Sequence, residues 1–369
     1  MRLRSLEGME IADVAEVLTY SHRRFGRRHL VSEADSQDLG RQQALIDEMN
    51  MLTCDTPEYN DFVSDFMATH ANDSQPTVKL ARKFCETWPL PSKTSAATET
   101  IRVAVMDSSF NPPHYCHGAY MECMGTMQLR AAADVAEGHQ QGETHALEID
   151  AFLLLLGSLN ADKLQKGMTL GQRMRMVDML GTTIALDTTS DTWHLWKKRD
   201  QFNASNLHNM AIGMVNVPRF IDKYEAVRNA VLQELKLPPP PPNDDRQLLP
   251  RVLCYFAMGW DTLIRFFDEK YYGPDYQAEI SRFFDSGGRI AYARRVGFSD
   301  TEVSEFFAAP HLAPYLQFIY ELELPKRVKH ISSTEVRQAI RESSQSVRDI
   351  PPRILQFVNS NQLYRNNEE

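Results

Sequence analysis

Two histidines, His114 and His117, lie three positions apart just after a β-rich stretch at residues 101–106. Pro112 and Pro113 precede them, and consecutive prolines keep the residues before them out of helical geometry, so a helix can begin only around Pro113 or His114. The two imidazoles then share one face of the first helical turn, beside backbone N–H groups that have no partner within the helix. Such a helix start suits a phosphate, whose oxygens accept hydrogen bonds from both kinds of group.

An isolated pair of histidines at this spacing is more often a plain turn with exposed side chains, and only the position directly after a strand favours the phosphate interpretation. A zinc site would need a third ligand at a suitable spacing from His114 and His117, and the sequence offers none.

A second segment whose residue types could bind a ligand runs from Ile331 to Arg337. Ser332 and Glu335 have the spacing of a capping box, which predicts a helix that begins there. Ser333 and Arg337 would share one face of that helix, so a hydroxyl, backbone N–H groups and a guanidinium could converge on one anion. Capping and phosphate binding are compatible at such a site.

Short apolar runs alternate with longer helical patterns from residue 101 onward. The candidate strands are 101–106, 151–156, 210–215, 252–258, 289–293 and 318–324, and the candidate helices include 171–180 and 224–235. Continuous apolar strands separated by helices are typical of a parallel sheet covered on both faces. The sequence therefore predicts the α/β class, a Rossmann-like sheet with its ligands at the carboxyl ends of the strands.

The sequence also predicts a division into domains. Residues 1–88 predict an α-helical N-terminal extension, because apolar residues recur there at helical spacing. Residues 89–100 contain two prolines among small polar residues and predict a linker. The sheet domain would then occupy residues 101–369, with a proline-rich insertion near 237–247 that is best explained as a surface spacer.

Composition excludes several classes of protein. The 369 residues carry 40 Lys and Arg against 49 Asp and Glu, a net charge of −9 that disfavours bulk nucleic-acid binding. No apolar run approaches the roughly 20 residues that cross a bilayer, and the acidic N-terminus does not resemble a signal peptide, so we expect no membrane partner and a cytoplasmic or nuclear location. Five cysteines without a Cys-x-x-Cys pair argue against a disulfide framework or a structural zinc site.

Taken together, the motifs Asp107-Ser-Ser-Phe-Asn-Pro-Pro-His-x-x-His117 and Ile331-Ser-Ser-Thr-x-x-Arg337 resemble the signatures of the nucleotidyltransferase superfamily. More narrowly, they resemble those of the fungal nicotinamide mononucleotide adenylyltransferases, over about residues 101–361. Supporting matches are Asn160-Ala-Asp-Lys163, Arg173-Met-Arg-Met176, Phe220-Ile-Asp-Lys223, Met258-Gly-Trp-Asp261 and Ala293-Arg294. The sequence departs from the wider superfamily at Asp107 and Ser108, which replace glycines, and at Cys116, which replaces a smaller residue.

The resemblance implies roles for many of the matched residues. His114, His117 and Arg337 would be the catalytic groups and would contact the phosphates of ATP. The other ATP-binding residues would be Ser108, Ser109, Phe110, Lys163, Gly259, Asp261, Arg294, Ser332, Ser333 and Thr334. Asn160 and Trp260 would lie near the acceptor nucleotide, and Arg173 is equally well explained by helix packing or by ligand contact. Mg²⁺ would accompany ATP, held mostly by the nucleotide and water.

The implied activity is transfer of the adenylyl group of ATP to nicotinamide mononucleotide, which yields NAD and pyrophosphate. The same phosphate-binding residues would suit adenylyl or cytidylyl transfer to another acceptor, such as nicotinate mononucleotide or phosphopantetheine. An ATP-binding or ATP-hydrolysing regulatory protein is a third interpretation, in which the N-terminal segment, with its basic tract at residues 23–28, binds a protein partner. The sequence leaves a homo-oligomer open.

Overall fold

The computed structural model describes residues 57–70, 75–90, 100–125, 129–131, 148–159, 168–185, 207–236, 251–294, 297–342 and 347–365. Its strands are β1 (Val78–Lys83), β2 (Thr100–Ser108), β3 (Leu129–Ala131), β4 (Ala151–Gly157), β5 (Met210–Val215), β6 (Arg251–Gly259), β7 (Gly288–Ala293) and β8 (Ile319–Leu322). Its α-helices are α1 (Pro57–His70), α2 (Tyr115–Gly125), α3 (Leu170–Ala185), α4 (Phe220–Glu234), α5 (Trp260–Phe266), α6 (Tyr276–Ser286), α7 (Asp300–Phe307), α8 (Ser333–Arg341) and α9 (Pro352–Ser360). No described helix is both long and apolar enough to cross a membrane.

The strands form one sheet in the order β1-β5-β4-β2-β6-β7-β8-β3. The six strands from β5 to β8 in that order run parallel, and β1 and β3 add an antiparallel strand at each edge. When the six parallel strands are numbered 1 to 6 in chain order, their order across the sheet is 3-2-1-4-5-6, which is that of the doubly wound fold. The predicted α/β class and Rossmann-like sheet are confirmed.

The central strands are mostly apolar because helices cover both faces of the sheet. Every residue of β4, β5 and β7 is buried, and β4 and β5 are continuous apolar runs rather than alternating ones, whereas β7 contains Arg289. The six strands predicted from residue 101 onward are confirmed, as are the predicted helices that became α3 and α4. Strand β3 was not among the predicted strands.

The prediction of an all-helical segment before residue 89 is wrong for β1. The sequence of β1 is Val-Lys-Leu-Ala-Arg-Lys, and it pairs antiparallel with β5. Val78 and Leu80 alternate with Lys79, a period of two that suits a half-buried strand, and edge lysines discourage pairing with a further strand. The helical prediction is confirmed only for α1, whose Tyr59 and Phe66 are buried.

Residues 57–90 are therefore part of the sheet domain rather than of a separate extension, which corrects the boundary placed at residue 89. Arg82 of β1 forms an ion pair with Asp178 of α3, at 2.6 Å between Nη1 and Oδ1. Arg175 of α3 lies 3.3 Å from Glu58 of α1, so both elements are joined to α3. Residues 1–56, most of the predicted linker and the proline-rich insertion lie outside the described residues.

Candidate active site

The site lies where the chain reverses its direction across the sheet. Among the parallel strands, the chain proceeds from β2 through β4 and β5 on one side, and then crosses to β6 on the other side of β2. In doubly wound sheets this reversal leaves a crevice at the carboxyl ends of the two strands, where ligands bind. Asp107 and Ser108 end β2, and Gly259 ends β6.

The turn after β2 brings both histidines to this crevice. Phe110 has a positive φ of 44° in this turn, and the centroid of its buried ring lies 5.0 Å from that of His117. Helix α2 begins at Tyr115, one residue after His114, in agreement with the prediction. The rings of His114 and His117 stack with centroids 3.8 Å apart, and they are 3% and 5% exposed.

Hydrogen bonds around His117 decide which ring nitrogen carries the proton. The backbone N–H of His114 donates to Nδ1 of His117 at 3.1 Å, so Nδ1 must be unprotonated. In the neutral ring the proton is then on Nε2, which lies 3.1 Å from Oγ of Ser108. The structure thus holds an imidazole N–H donor at the carboxyl end of β2.

Two adjoining cavities open at this point. The smaller, about 130 Å³, is lined by both histidines together with Met258 and Gly259. The larger, about 250 Å³, extends towards β4, β5 and the start of α4, and its wall includes Ser109 and Gly157. Both cavities are lined by Asp107, Ser108, Phe220 and Thr262. The two cavities adjoin beside Ser108.

The second predicted segment contacts the histidine turn. Ser333 Oγ donates to the carbonyl of Pro112 at 3.0 Å, and Nη1 of Arg337 donates to the carbonyl of Asn111 at 2.7 Å. Thr334 Oγ1 accepts a hydrogen bond from Nη2 of Arg337 at 3.3 Å. The structure therefore brings together two segments separated by more than 200 positions, although residues 332–337 line neither of the two cavities.

The predicted capping box at the start of α8 is confirmed. Ser332 Oγ accepts from the backbone N–H of Glu335 at 3.2 Å, and the carboxylate of Glu335 accepts from the backbone N–H of Ser332 at 3.0 Å. The box fixes the first turn of α8, and with it the positions of Ser333 and Arg337 beside the histidine turn.

Tyr364, near the C-terminus, supports the same turn and was missed by the sequence analysis. Its hydroxyl donates to Oδ1 of Asn111 at 2.8 Å, and burial raises the pKa of this phenol. Arg173 of α3 is 1% exposed; burial lowers the pKa of its guanidinium, and the charge of Arg337 lowers it further. Of the two explanations for Arg173, this burial favours packing behind the site.

Lys223 ends one of the supporting motif matches, but the resemblance gave it no role at the site. It lies in the first turn of α4, and its Nζ donates to Oδ2 of Asp107 at 2.6 Å. Both side chains are nearly buried, at 6% and 10% exposed, and both line the larger cavity. The signal available in the sequence was a cation, Lys223, shortly after β5. Its contact with Asp107 of β2 forms only in the folded chain.

Comparison with known proteins was made by sequence and by structure. No family model matches the chain. A curated protein of Schizosaccharomyces pombe (strain 972) named "Putative nicotinamide mononucleotide adenylyltransferase" is 25% identical over 283 residues, which cover 71% of this chain and 86% of that protein. The resemblance to these adenylyltransferases is confirmed.

Structural neighbours include two solved structures of Plasmodium falciparum nicotinic acid mononucleotide adenylyltransferase, one complexed with NaAD and one with APC. Each is 14% identical to this chain and covers 73% of it and 100% of its own chain, with TM-scores of 0.44 and 0.41.

Trp260 was predicted to lie near the acceptor nucleotide, but the structure places it in the core. Its side chain is 1% exposed and contacts Tyr292, Phe298, Phe306 and Phe307 in the core. It faces the core because the first turn of α5 packs on β7, so it cannot stack on an acceptor ring. The aromatic residues that line the larger cavity are instead Phe220, Phe266, Tyr271 and Tyr272.

The remaining predicted residues lie in different places. Asp261 follows Gly259 in the first turn of α5, next to the smaller cavity. The guanidinium of Arg294 pairs with Glu321 and Asp300, and Arg294 lines neither cavity. Its proposed contact with nucleotide stays a prediction. Asn160 and Lys163 lie outside the described residues.

Proposed function

We propose that this protein transfers the adenylyl group of ATP to nicotinamide mononucleotide, with release of pyrophosphate. The observation that carries the proposal is the meeting of His114, His117, Ser108 and Gly259 around one cavity at the reversal point of a doubly wound sheet. The larger cavity beside it provides separate room for the acceptor. The similarity to the S. pombe protein supports the same reaction class.

The reaction requires little covalent chemistry from the protein. A phosphate oxygen of the acceptor attacks the α-phosphorus of ATP in line; the new P–O bond forms as the bond to the β-phosphate bridging oxygen breaks, and that oxygen leaves with pyrophosphate. A mononucleotide phosphate is already ionised near neutral pH, so no general base is needed. Catalysis then depends on positioning and on donors directed at the developing charge.

His117 supplies such a donor through its Nε2–H, which is fixed by the hydrogen bond at Nδ1. We propose that, when ATP binds, one of its phosphate oxygens replaces Ser108 Oγ and accepts the hydrogen bond from this N–H. Arg337 would act from the adjacent turn, and its hydrogen bond to Asn111 keeps its guanidinium against the segment that ends at the histidines. The ribose of ATP would lie near Gly259 and Asp261.

Mg²⁺ is proposed to enter as the ATP complex. Among the described residues, no group of three or more His, Cys, Asp or Glu side chains could hold a metal ion. Mg²⁺ commonly binds through substrate phosphates and water with few protein ligands, and when bound it would neutralise charge on the triphosphate. EDTA should therefore abolish turnover without moving the midpoint of thermal unfolding of the nucleotide-free protein, and excess Mg²⁺ should restore turnover.

The test is to incubate the purified full chain with ATP, Mg²⁺ and nicotinamide mononucleotide and to measure NAD and pyrophosphate. We expect both products in equal amounts. Parallel reactions with nicotinate mononucleotide, phosphopantetheine and CTP identify the preferred pair of substrates. ATP hydrolysis without any dinucleotide would favour the regulatory interpretation and reject the transferase proposal.

A further inference from the structure

Lys223 is a buried cation on the wall of the larger cavity, and its position there lowers the stability of the fold. A positive charge in the first turn of a helix opposes the helix dipole, and burial removes the ammonium from water. Asp107 is its hydrogen-bond partner among the described residues, and an ammonium has three donor positions to satisfy. A ligand with several oxygen acceptors would satisfy the others.

The ammonium is held beside the boundary between the two cavities. Asp107 lines both of them, and the hydroxyl of the next residue, Ser108, contacts Nε2 of His117. The ring of Phe220, which also lines both cavities, has its centroid 5.0 Å from Nζ of Lys223. A carboxylate and an aromatic ring thus fix Nζ next to the place where the contents of the two cavities must meet.

The other cations that line the larger cavity, Arg219 and Arg265, are more exposed than Lys223. Nε of Arg219 donates to Oδ2 of Asp222 at 2.7 Å, and Nε of Arg265 donates to the carbonyl of Asp261 at 3.2 Å. Arg219 is also 36% exposed in its side chain, whereas Lys223 is 6% exposed. Hydrogen bonds from a desolvated ammonium to a phosphate are strong, which makes Lys223 the favoured phosphate ligand of this wall.

We propose that Lys223 binds the phosphate of the acceptor mononucleotide, and that Asp107 is the positioning residue that holds Lys223 at the boundary. This assignment rests on the proposed function, in which ATP occupies the histidine cavity and the acceptor occupies the larger one. It gives Asp107, a departure from the glycine of the wider superfamily, a specific task.

The first experiment compares the full-length wild type with Lys223→Met in steady-state kinetics. The variant should raise the KM for nicotinamide mononucleotide about 10- to 100-fold, because a hydrogen bond to a charged group is lost, and change the KM for ATP by less than about threefold. Lys83→Met is the matched control: Nζ of Lys83 lies 2.7 Å from Oε2 of Glu234, away from both cavities, so its kinetics should equal those of the wild type.

Removing Lys223 alone leaves the carboxylate of Asp107 buried without its partner, which could unfold the protein. The double variant Asp107→Asn with Lys223→Met avoids this charge and should show the same selective rise in the KM for the acceptor. Asp107→Asn alone keeps the ammonium of Lys223 but removes the carboxylate that holds it in place. This variant should therefore raise the KM for the acceptor less than Lys223→Met does.

The second experiment titrates nicotinamide mononucleotide and nicotinamide riboside, which lacks the phosphate, into the nucleotide-free proteins. The wild type should prefer the mononucleotide, and the double variant should bind the two compounds about equally. An unchanged preference, or KM values for ATP and acceptor that rise together, would assign Lys223 a structural role and overturn the proposal. Absence of dinucleotide with the wild type overturns the proposed function instead, while the titration still decides the role of Lys223; no binding of the mononucleotide overturns both.

Discussion

At the scale of single residues, the two ring nitrogens of His117 make different hydrogen bonds, one with the backbone and one with the side chain of Ser108. Its Nδ1 accepts from the backbone N–H of His114, just before the start of α2, and that bond leaves the proton on Nε2 beside Ser108. The same contact therefore fixes both the position of the ring and its tautomer. Both rings are buried, so the interpretation of this pair as a plain turn with exposed side chains is wrong, while contact with phosphate stays a prediction.

His117→Ala should lower kcat about 10²- to 10³-fold, the usual loss when one donor to a developing charge is removed. It should also cost about 1 kcal/mol of the free energy of unfolding, because the N–H of His114 loses its acceptor. Rapid-quench turnover and urea unfolding measure the two effects. His311→Ala, at an exposed histidine, is the control and should change neither quantity. A kcat within about threefold of wild type would remove His117 from the mechanism.

Tyr364→Phe tests whether the C-terminal segment positions the histidine turn. The substitution removes only the hydroxyl that donates to Oδ1 of Asn111, so we expect about 1 kcal/mol less stability and a kcat about tenfold lower, because the turn is less well fixed. Tyr315→Phe removes a comparable hydroxyl contact, to Ser281 Oγ at 2.8 Å, and should lower stability alone. Equal kinetics of the two variants would show that Tyr364 has no role in positioning.

At the scale of elements, two helices offer a comparison that separates stability from catalysis. Helices α7 and α8 both begin with a capping box, Ser299 with Glu302 and Ser332 with Glu335. Ser299→Ala and Ser332→Ala should each cost about 1 kcal/mol of unfolding free energy. Only Ser332→Ala should also lower kcat/KM for ATP, because α8 carries Ser333 and Arg337 to the histidine turn. Equal kinetics of both variants would make the start of α8 a purely structural feature.

The elements also show which parts of this structure a sequence can predict. β4 and β5 were predictable because both of their faces are buried and they read as continuous apolar runs. The histidine turn and the capping box were predictable because their residues are neighbours in the chain. The pairs Lys223–Asp107 and Tyr364–Asn111 join residues 116 and 253 positions apart, so no local pattern records them. Trp260 was misassigned because an aromatic residue next to a motif looks the same whether it faces the ligand or the core.

At the scale of the whole molecule, the sheet extends further towards the N-terminus than the motifs do. β1 covers the outer edge of β5, and α1 is joined to α3 through the contact between Glu58 and Arg175. An uncovered β5 would present an entirely buried, apolar strand with free backbone groups, which is a template for aggregation. The matched motifs alone therefore do not define a stable domain.

A fragment of residues 101–369, the domain that the motifs suggest, should consequently aggregate or unfold at a lower urea concentration than the full chain. Size-exclusion chromatography and urea titration of both proteins test this. The point control is Lys79→Ala in the full chain, which removes the exposed ion pair of Lys79 with Asp65 and its contact with the ring of Phe62, and should leave the unfolding midpoint nearly unchanged. A monomeric fragment with the unfolding midpoint of the full chain would show that β1 and α1 are dispensable, and would return the boundary to residue 101.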